Sequence, residues 1–120
     1  MSSAESDARS FLPLTPSVFH VLVALADGDK HGYAILKEVA DRTGGRVRLS
    51  SGTLYALIKR LLHDGLIDEI DERPARDDER RRYYRLTAFG REVAALEAER
   101  MEELVGAARA KRLIRRTRPA

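Results

Sequence analysis

The apolar positions along the first third of the chain follow the period of an α-helix. Thr15-Pro16 predicts a helix start, because threonine caps a first turn and proline fits its first position. The residues that follow are apolar almost all round, which indicates a helix buried on more than one side. His31-Gly32-Tyr33 opens a second helix, and Gly44-Gly45 closes it. Residues 46–49 then alternate with period two, which favours a short extended or strand segment.

The third predicted helix has two different faces. It runs from Ser51 to His63 or Asp64, with Ser50 as its N-cap and Gly65 at its end. The apolar face comprises Leu54, Leu57, Ile58, Leu61 and Leu62. The opposite face is small, polar and basic, and comprises Ser51, Thr53, Tyr55, Ala56, Lys59 and His63. Such a face suits a helix whose first turn enters the major groove of DNA, where bulky side chains would block entry. An ordinary amphipathic helix with a solvated face is the alternative.

A β-hairpin is predicted after the third helix. Leu66 to Glu72 has the pattern of a strand, Arg73 to Arg80 that of a charged loop, and Arg81 to Leu86 that of a second strand. Tyr83 and Tyr84 alternate across this strand, so one of them should lie in the core. Three helices followed by a hairpin make a winged helix-turn-helix, which is mainly α with a small β-hairpin (α+β).

A long last helix is predicted from Ala88 to about Arg112, with Thr87 as its cap. At about 1.5 Å per residue, its roughly 25 residues span ~37 Å, which is too long to pack wholly on so small a domain. Its apolar residues form two faces, Phe89, Val93 and Leu96 on the first and Met101, Leu104, Val105 and Ala108 on the second. We expect the first face to pack on its own domain and the second on a partner subunit. One bent helix around a single core is the alternative.

Composition and charge bound the class of protein. The chain has 120 residues, no cysteine, a formal net charge of +3 and a pI of about 9.5. No apolar run approaches the roughly 20 residues that span a bilayer, and residues 1–10 lack the apolar region of a signal peptide. We therefore expect a cytoplasmic, nucleoid-associated protein with no membrane partner, no disulfide and no thiolate metal site.

Arginine concentrates in two segments, Arg76 to Arg91 and the tail from Lys111 to Arg118. Clustered arginine favours an anionic partner such as DNA, and a solubilising surface is the alternative. Three arginines of the hairpin stem are candidates for phosphate contact, Arg80, Arg81 and Arg82. Three acidic residues of the loop tip compete for them, Asp77, Asp78 and Glu79, although surface pairs of this kind are weak.

Nothing in the sequence has the pattern of a catalytic or metal site. The three histidines, His20, His31 and His63, fall in separate elements at no zinc spacing. The sequence lacks a P-loop, a nucleophile elbow, a glycine fingerprint and His-Glu-x-x-His. Its paired carboxylates sit beside arginines rather than in an apolar pocket that would separate their pKa values. We expect no enzymatic activity, no cofactor and no metal.

Several segments together resemble the PadR family of bacterial transcriptional regulators. They are Leu14-Thr15-Pro16, His31-Gly32-Tyr33-Ala34-Ile35, Ser50-Ser51-Gly52-Thr53-Leu54-Tyr55, Gly65-Leu66-Ile67 and Arg81-Arg82-Tyr83-Tyr84-Arg85-Leu86-Thr87, with Gly90 following. The resemblance covers roughly residues 12 to 112. It implies a winged helix-turn-helix that binds double-stranded DNA as a homodimer and commonly acts as a repressor. Many members release DNA when they bind an aromatic or cationic small molecule. The single last helix of this chain resembles the short subgroup of the family, as opposed to members with a larger C-terminal domain.

The residues and the resemblance together nominate two functional surfaces. The DNA-binding candidates are Tyr33, Ser51, Thr53, Tyr55, Lys59, Arg80, Arg81, Arg82 and Tyr83. The resemblance implies that the last helix and the first make the dimer contact, for which the candidates are Val18, Phe19, Leu22, Met101, Leu104, Val105 and Ala108. A core position for Tyr33 and packing on the hairpin for Tyr55 are the alternatives.

The predicted organisation has four parts: a disordered N-terminus over 1–11, a DNA-binding domain over 12–87, a dimerisation helix over 88–113 and a basic disordered tail over 114–120. The chain departs from many relatives, which have proline at the position of Ser51 and glycine in the wing tip. It also has no tryptophan, so the aromatic ligand sandwich of some relatives is not carried over. The alternative function is a winged-helix module for protein–protein interaction, whose mark would be an apolar recognition face.

Overall fold

The computed structural model describes residues 7–70 and 82–115, which contain four helices and three short strands besides a helical turn at residues 7–9. In chain order these elements are α1 (Pro16–Leu25), β1 (Lys30–His31), α2 (Gly32–Arg42), α3 (Ser51–His63), β2 (Ile67–Ile70), β3 (Tyr83–Leu86) and α4 (Ala88–Ala110). The architecture is a winged helix-turn-helix followed by a long helix, so the predicted fold class is confirmed.

The three predicted N-caps are in place. Thr15, Ser50 and Thr87 have extended backbone angles, and their hydroxyl oxygens accept hydrogen bonds from amides three residues ahead at 3.3, 3.1 and 2.9 Å. Each bond satisfies an amide that the helix itself leaves unpaired. Helix α2 is capped by His31, whose Nδ1 accepts a hydrogen bond from the Ala34 amide at 3.2 Å. The sequence predicted the start of α2 but not this imidazole cap.

The sheet contains a strand that the sequence analysis missed. β1 pairs antiparallel with β3, so the strand order is β1-β3-β2 rather than that of a two-stranded hairpin. His31 lies opposite Tyr83 in the register, and Ile67 lies opposite Leu86. A strand of two residues carries too few positions to show an alternating pattern. The predicted loop from Arg73 to Arg80 lies outside the described residues.

The core lies between α1, α2, the apolar face of α3, the sheet and the first half of α4. Tyr84 is the buried member of the tyrosine pair, as expected of one of the two. Leu22 is completely buried in this core, because α2, α4 and β3 all pack against α1. Leu22 therefore offers no surface to a second chain, and its assignment to a dimer contact is wrong.

The N-terminal segment packs against the core as far back as residue 7. Ala8 is completely buried, and the ring of Phe11 meets that of Phe89 edge-on with centroids 5.8 Å apart. The prediction of disorder over residues 1–11 is therefore wrong for 7–11, because these two apolar side chains complete the core beside α4. Residues 1–6 lie outside the described residues.

A buried carboxylate joins the N-terminal segment to α4. Glu97 is 2% exposed; it accepts a hydrogen bond from the Leu14 amide at 3.1 Å and two from the Arg100 guanidinium at 2.6 and 3.1 Å. The bonds from Arg100 hold the pKa of Glu97 below its ordinary value, although burial alone would raise it. All the polar demands of this buried acid are thus met inside the subunit.

The two halves of α4 differ in exposure, as the two faces of its sequence predict. Val93 and Leu96 are buried, whereas Leu104 and Val105 are 63% and 43% exposed. We call Met101, Leu104, Val105 and Ala108 the distal face. The described part of the chain leaves this face largely uncovered. No helix in residues 7–70 and 82–115 combines the length and the apolar character that crossing a bilayer requires.

Candidate nucleic-acid interface

Helix α3 separates its apolar and polar residues as the sequence predicted. Leu54, Ile58 and Leu61 are buried in the core. The residues of the opposite face are all exposed, namely Ser51, Thr53, Tyr55, Ala56, Lys59 and His63. Buried leucine and isoleucine side chains therefore hold the helix against the domain and present the polar face to the outside.

The first turn of α3 is tied together by hydroxyl groups. The Ser50 hydroxyl accepts from the Thr53 amide at 3.1 Å and donates to the Thr53 hydroxyl oxygen at 2.9 Å. A hydroxyl has one hydrogen to donate, so the Ser50 hydroxyl has no hydrogen left for another acceptor. The hydrogen of the Thr53 hydroxyl remains available to an acceptor outside the protein, such as a phosphate oxygen or a base edge.

Tyr55 packs against the start of α2 while half of it stays exposed. A Cβ added to Gly32 would lie 2.8 Å from the Tyr55 hydroxyl oxygen, so the phenol occupies the space that any larger residue would need. Tyr55 is 53% exposed, and its ring therefore links α2 and α3 and leaves one side open to a ligand. This contact is with α2, and packing of Tyr55 on the hairpin stays a prediction.

An aromatic series connects α2 to the wing strand β3. The His31 ring is stacked with Tyr33, with centroids 6.4 Å apart, and meets Tyr83 edge-on at 5.4 Å. Tyr33 is 69% exposed, which makes the core alternative for this residue wrong and leaves its hydroxyl accessible. Because the His31 Nδ1 accepts the cap bond, the proton of the neutral ring is on Nε2. The series sets Tyr33 and Tyr83 on the same side of the domain.

The cations near α3 differ in their partners. Lys59 is exposed and has no ion pair among the described residues. Arg82 lies 3.5 Å from Glu69 across the sheet, with 69% of its side chain exposed. Arg85 donates to Asp29 at 3.3 and 3.0 Å, which ties β3 to the turn after α1. Arg80 and Arg81 lie outside the described residues, as does the acidic tip.

Two further cations were missed by the sequence analysis. Arg46 and Arg48 are exposed on the segment that leads directly into Ser50, whereas Val47 and Leu49, which alternate with them, pack on the core. The signal that could have found them is the period-two alternation of residues 46–49. An alternating segment beside a candidate recognition helix places all its polar side chains on one side.

Residues 21–96 match the family model of the PadR-like transcriptional regulators. The chain belongs to the PadR-like family. A transcriptional regulator of Mycobacterium tuberculosis is 39% identical over 85 residues, which are 71% of this chain and 75% of that protein. A PadR family transcription regulator from Clostridium difficile has the same fold, with a TM-score of 0.68 and 25% identity over 78% of this chain and 94% of that one.

A third relative is a much longer protein. An uncharacterised protein of a Streptomyces fradiae transposon is 41% identical over 86 residues, but the chain spans 23% of its length. Membership of the PadR-like family implies DNA-binding regulation of transcription. The family and the fold are those of a transcriptional regulator rather than an enzyme.

The described part of this PadR-like regulator holds no cluster of three or more side chains that could ligate a metal ion. An open hollow on the outer side of α2 is lined by Ala34, Lys37, Glu38, Asp41 and Arg42. Its charged groups form two ion pairs, Lys37 with Asp41 at 2.9 Å and Arg42 with Glu38 at 3.3 Å. The hollow therefore differs in chemistry from the polar face of α3.

Proposed function

We propose that the chain is a homodimeric repressor that places α3 of each subunit in the major groove of a pseudo-palindromic operator. The observation that carries the proposal is the small, polar and basic outer face of α3, held in place by a fully apolar inner face. Ser51 and Thr53 are short enough to let the first turn approach base edges. Lys59, further along the same face, supplies a charge for the DNA backbone.

The distal face of α4 supports the dimer. It projects beyond the domain core, and Leu104 and Val105 on it are exposed in the single subunit. Exposed leucine and valine on a long helix are best covered by the same helix of a second copy, because a two-fold contact buries both faces at once. Val18 and Phe19 of α1 are half-buried and can extend this contact. Two subunits would then hold their α3 helices about 34–36 Å apart, one turn of B-DNA.

A binding titration with the promoter region upstream of the coding gene tests this function. We expect retardation of this fragment in a gel and protection of two symmetric half-sites in a footprint. Because phosphate contacts supply much of the affinity, binding should weaken steeply with salt. Absence of any DNA binding in dilute buffer would contradict the proposal.

Replacing Lys59 or Arg82 by alanine should lower the slope of log K against log salt by about 0.9 per lost phosphate contact. Lys59 pairs with no acid among the described residues, and the exposed Arg82–Glu69 pair is weak enough for a phosphate to displace Glu69. Fluorescence anisotropy with labelled operator at several salt concentrations measures the slope. Arg109→Ala, which removes one charge at the far end of α4, is the matched control and should leave the slope unchanged. An unaltered slope in both Lys59→Ala and Arg82→Ala would contradict the placement of α3 and the wing.

Replacing Leu104 by glutamate should convert the protein to a monomer, because a charge would be buried in the dimer contact. We expect DNA affinity to fall at least ~100-fold, since each half-site would then be bound independently. Sedimentation velocity measures the oligomeric state of the variant. Ala95→Glu is the control, because at about 100° per residue this exposed position lies on the other side of α4 from the distal face. A wild-type protein that sediments as a monomer would contradict the dimer.

The proposal includes relief of repression by a small aromatic or cationic molecule, which the family resemblance supports. Displacement of labelled operator by a phenolic acid or by a cationic dye tests this part. If neither compound displaces the operator at saturating concentration, the effector is removed from the proposal and the proposed DNA binding still stands.

A further inference from the structure

We propose that Arg46 and Arg48 form a phosphate clamp, a DNA contact separate from both α3 and the wing. The inference rests on the proposed DNA binding and adds two residues to it. The two arginines lie in the segment between α2 and α3, immediately before the N-cap Ser50.

The backbone of this segment is held at its start. The Thr43 hydroxyl donates to the Val39 carbonyl at 2.8 Å and accepts from the Val47 amide at 3.0 Å. The Gly45 amide donates to the Ala40 carbonyl at 2.7 Å, in a left-handed conformation with φ +80°. The segment therefore leaves α2 in one fixed direction and reaches Ser50 four residues after Arg46.

Burial alternates along the segment. Val47 and Leu49 pack on the hydrophobic core, whereas Arg46 and Arg48 are exposed. Both arginines therefore lie on the outer surface of the segment that leads into α3.

The Arg48 guanidinium lies over Gly45. The Arg48 guanidinium lies so close that a Cβ at residue 45 would be 3.0 Å from its Nη2 and 3.5 Å from its Nε. Glycine therefore leaves the room that this placement of the guanidinium needs.

The charges around the start of α3 are the reverse of those that stabilise a helix. The N-terminus of a helix has a partial positive charge and favours acidic neighbours. The first turn of α3 contains no acidic residue, and the side chains of Arg46 and Arg48 have no ion pair or hydrogen-bond partner within residues 7–70 and 82–115. Arg42, Arg82, Arg85 and Arg100 have acidic partners, whereas Arg109 and Arg112, at the far end of α4, have none among the described residues. What distinguishes Arg46 and Arg48 is their place beside a positive helix end and the proposed DNA-binding face, where the anion available to them is a phosphate.

Salt titrations of operator binding test the clamp with four variants and one control. Because each operator would bind two subunits, we expect Arg46→Ala and Arg48→Ala each to remove two phosphate contacts and to lower the slope of log K against log salt by about 1.8, and the double variant by about 3.6. The double variant with lysine at both positions should keep most of the slope, because the charges remain. Arg109→Ala, which also removes a single charge, should behave as the wild type.

Two further readouts separate a phosphate contact from a structural role. The loss of affinity should be equal for operator and for unrelated DNA, because phosphate contacts carry no sequence information. The double alanine variant should be at least as stable to heat as the wild type, since it removes repulsion at the helix end. An unchanged slope in the double alanine variant, or a loss confined to the operator, would overturn the clamp and leave the proposed function standing. A wild-type protein that binds no DNA would overturn both.

Discussion

Replacing Gly90 by alanine lowers the free energy of unfolding by about 3 kcal/mol or more. A Cβ at this position would lie 1.9 Å from the carbonyl oxygen of Leu66 and 2.8 Å from its carbonyl carbon. These are backbone atoms, so no side-chain rotation can make room. The effect is opposite in sign to that of most Gly→Ala changes inside a helix, which stabilise by up to ~1 kcal/mol.

The Leu66 carbonyl cannot move away without breaking other bonds. It accepts a hydrogen bond from the Thr87 amide at 3.1 Å, while the Thr87 hydroxyl donates to the Gly65 carbonyl at 2.7 Å. These bonds join the start of α4 to the chain just after α3. Gly90 therefore allows the proposed dimerisation helix and the recognition helix to be held in one arrangement.

Gly106→Ala is the matched control for Gly90→Ala. Gly106 also lies in α4, and a Cβ there would meet no atom of the described residues within 4 Å. At about 100° per residue it lies opposite the distal face, so a second copy would not crowd it. We expect Gly106→Ala to raise stability by about 0.5–1 kcal/mol. Chemical denaturation at one fixed protein concentration measures the free energy of unfolding of Gly90→Ala and Gly106→Ala. Equal stability of these two variants would contradict the tight contact at Gly90.

Replacing Glu97 by alanine should lower the free energy of unfolding by about 2–3 kcal/mol. The change leaves the part-buried Leu14 amide without its acceptor and Arg100 without its ion pair. Arg100 is 38% exposed and can be hydrated, so we expect less than the full loss of a completely buried pair. Denaturant unfolding measures the effect, with Glu99→Ala on the exposed side of the same helix as a control expected to change stability by less than about 0.5 kcal/mol.

The contribution of Glu97 to the free energy of unfolding should depend on pH. Hydrogen bonds from Arg100 lower the pKa of Glu97 in the folded state, so the folded protein favours the ionised form more than the unfolded chain does. The stabilisation is therefore complete above the ordinary glutamate pKa of about 4.3 and is lost as the pH falls through the lowered folded value. The difference in stability between wild type and Glu97→Gln should shrink in this acidic window. A difference that stays constant from neutral to acidic pH would contradict this role of the charge.

The predicted elements with local signals were found where the sequence placed them. The bounds of α3 agree with the prediction, because Ser50, the apolar stripe and Gly65 are all adjacent in sequence. The caps at Thr15 and Thr87 are confirmed for the same reason. The start of β1 at Lys30 was missed, because two residues form a strand only where β3 is already present to pair with them.

The errors concern residues whose environment comes from distant parts of the chain. Leu22 was predicted at a dimer contact because the resemblance assigns the first helix to that contact, and the apolar character of α1 does not distinguish a neighbouring helix from a second subunit. Ala8 was assigned to a disordered end because its own segment is polar, yet it is completely buried in the core. The role of Glu97 depends on Leu14, 83 residues earlier, and no local pattern shows that contact.

The sequence by itself determined the order of helices and wing, the polar outer face of α3 and the family to which the chain belongs. These follow from spacing, capping and charge within short segments, where each residue acts on near neighbours. Only the tertiary structure decided which cations have acidic partners, how closely α4 approaches Leu66 and which apolar residues remain exposed. Those properties depend on distances between segments far apart in the chain, and such distances are set by the packing of the whole core.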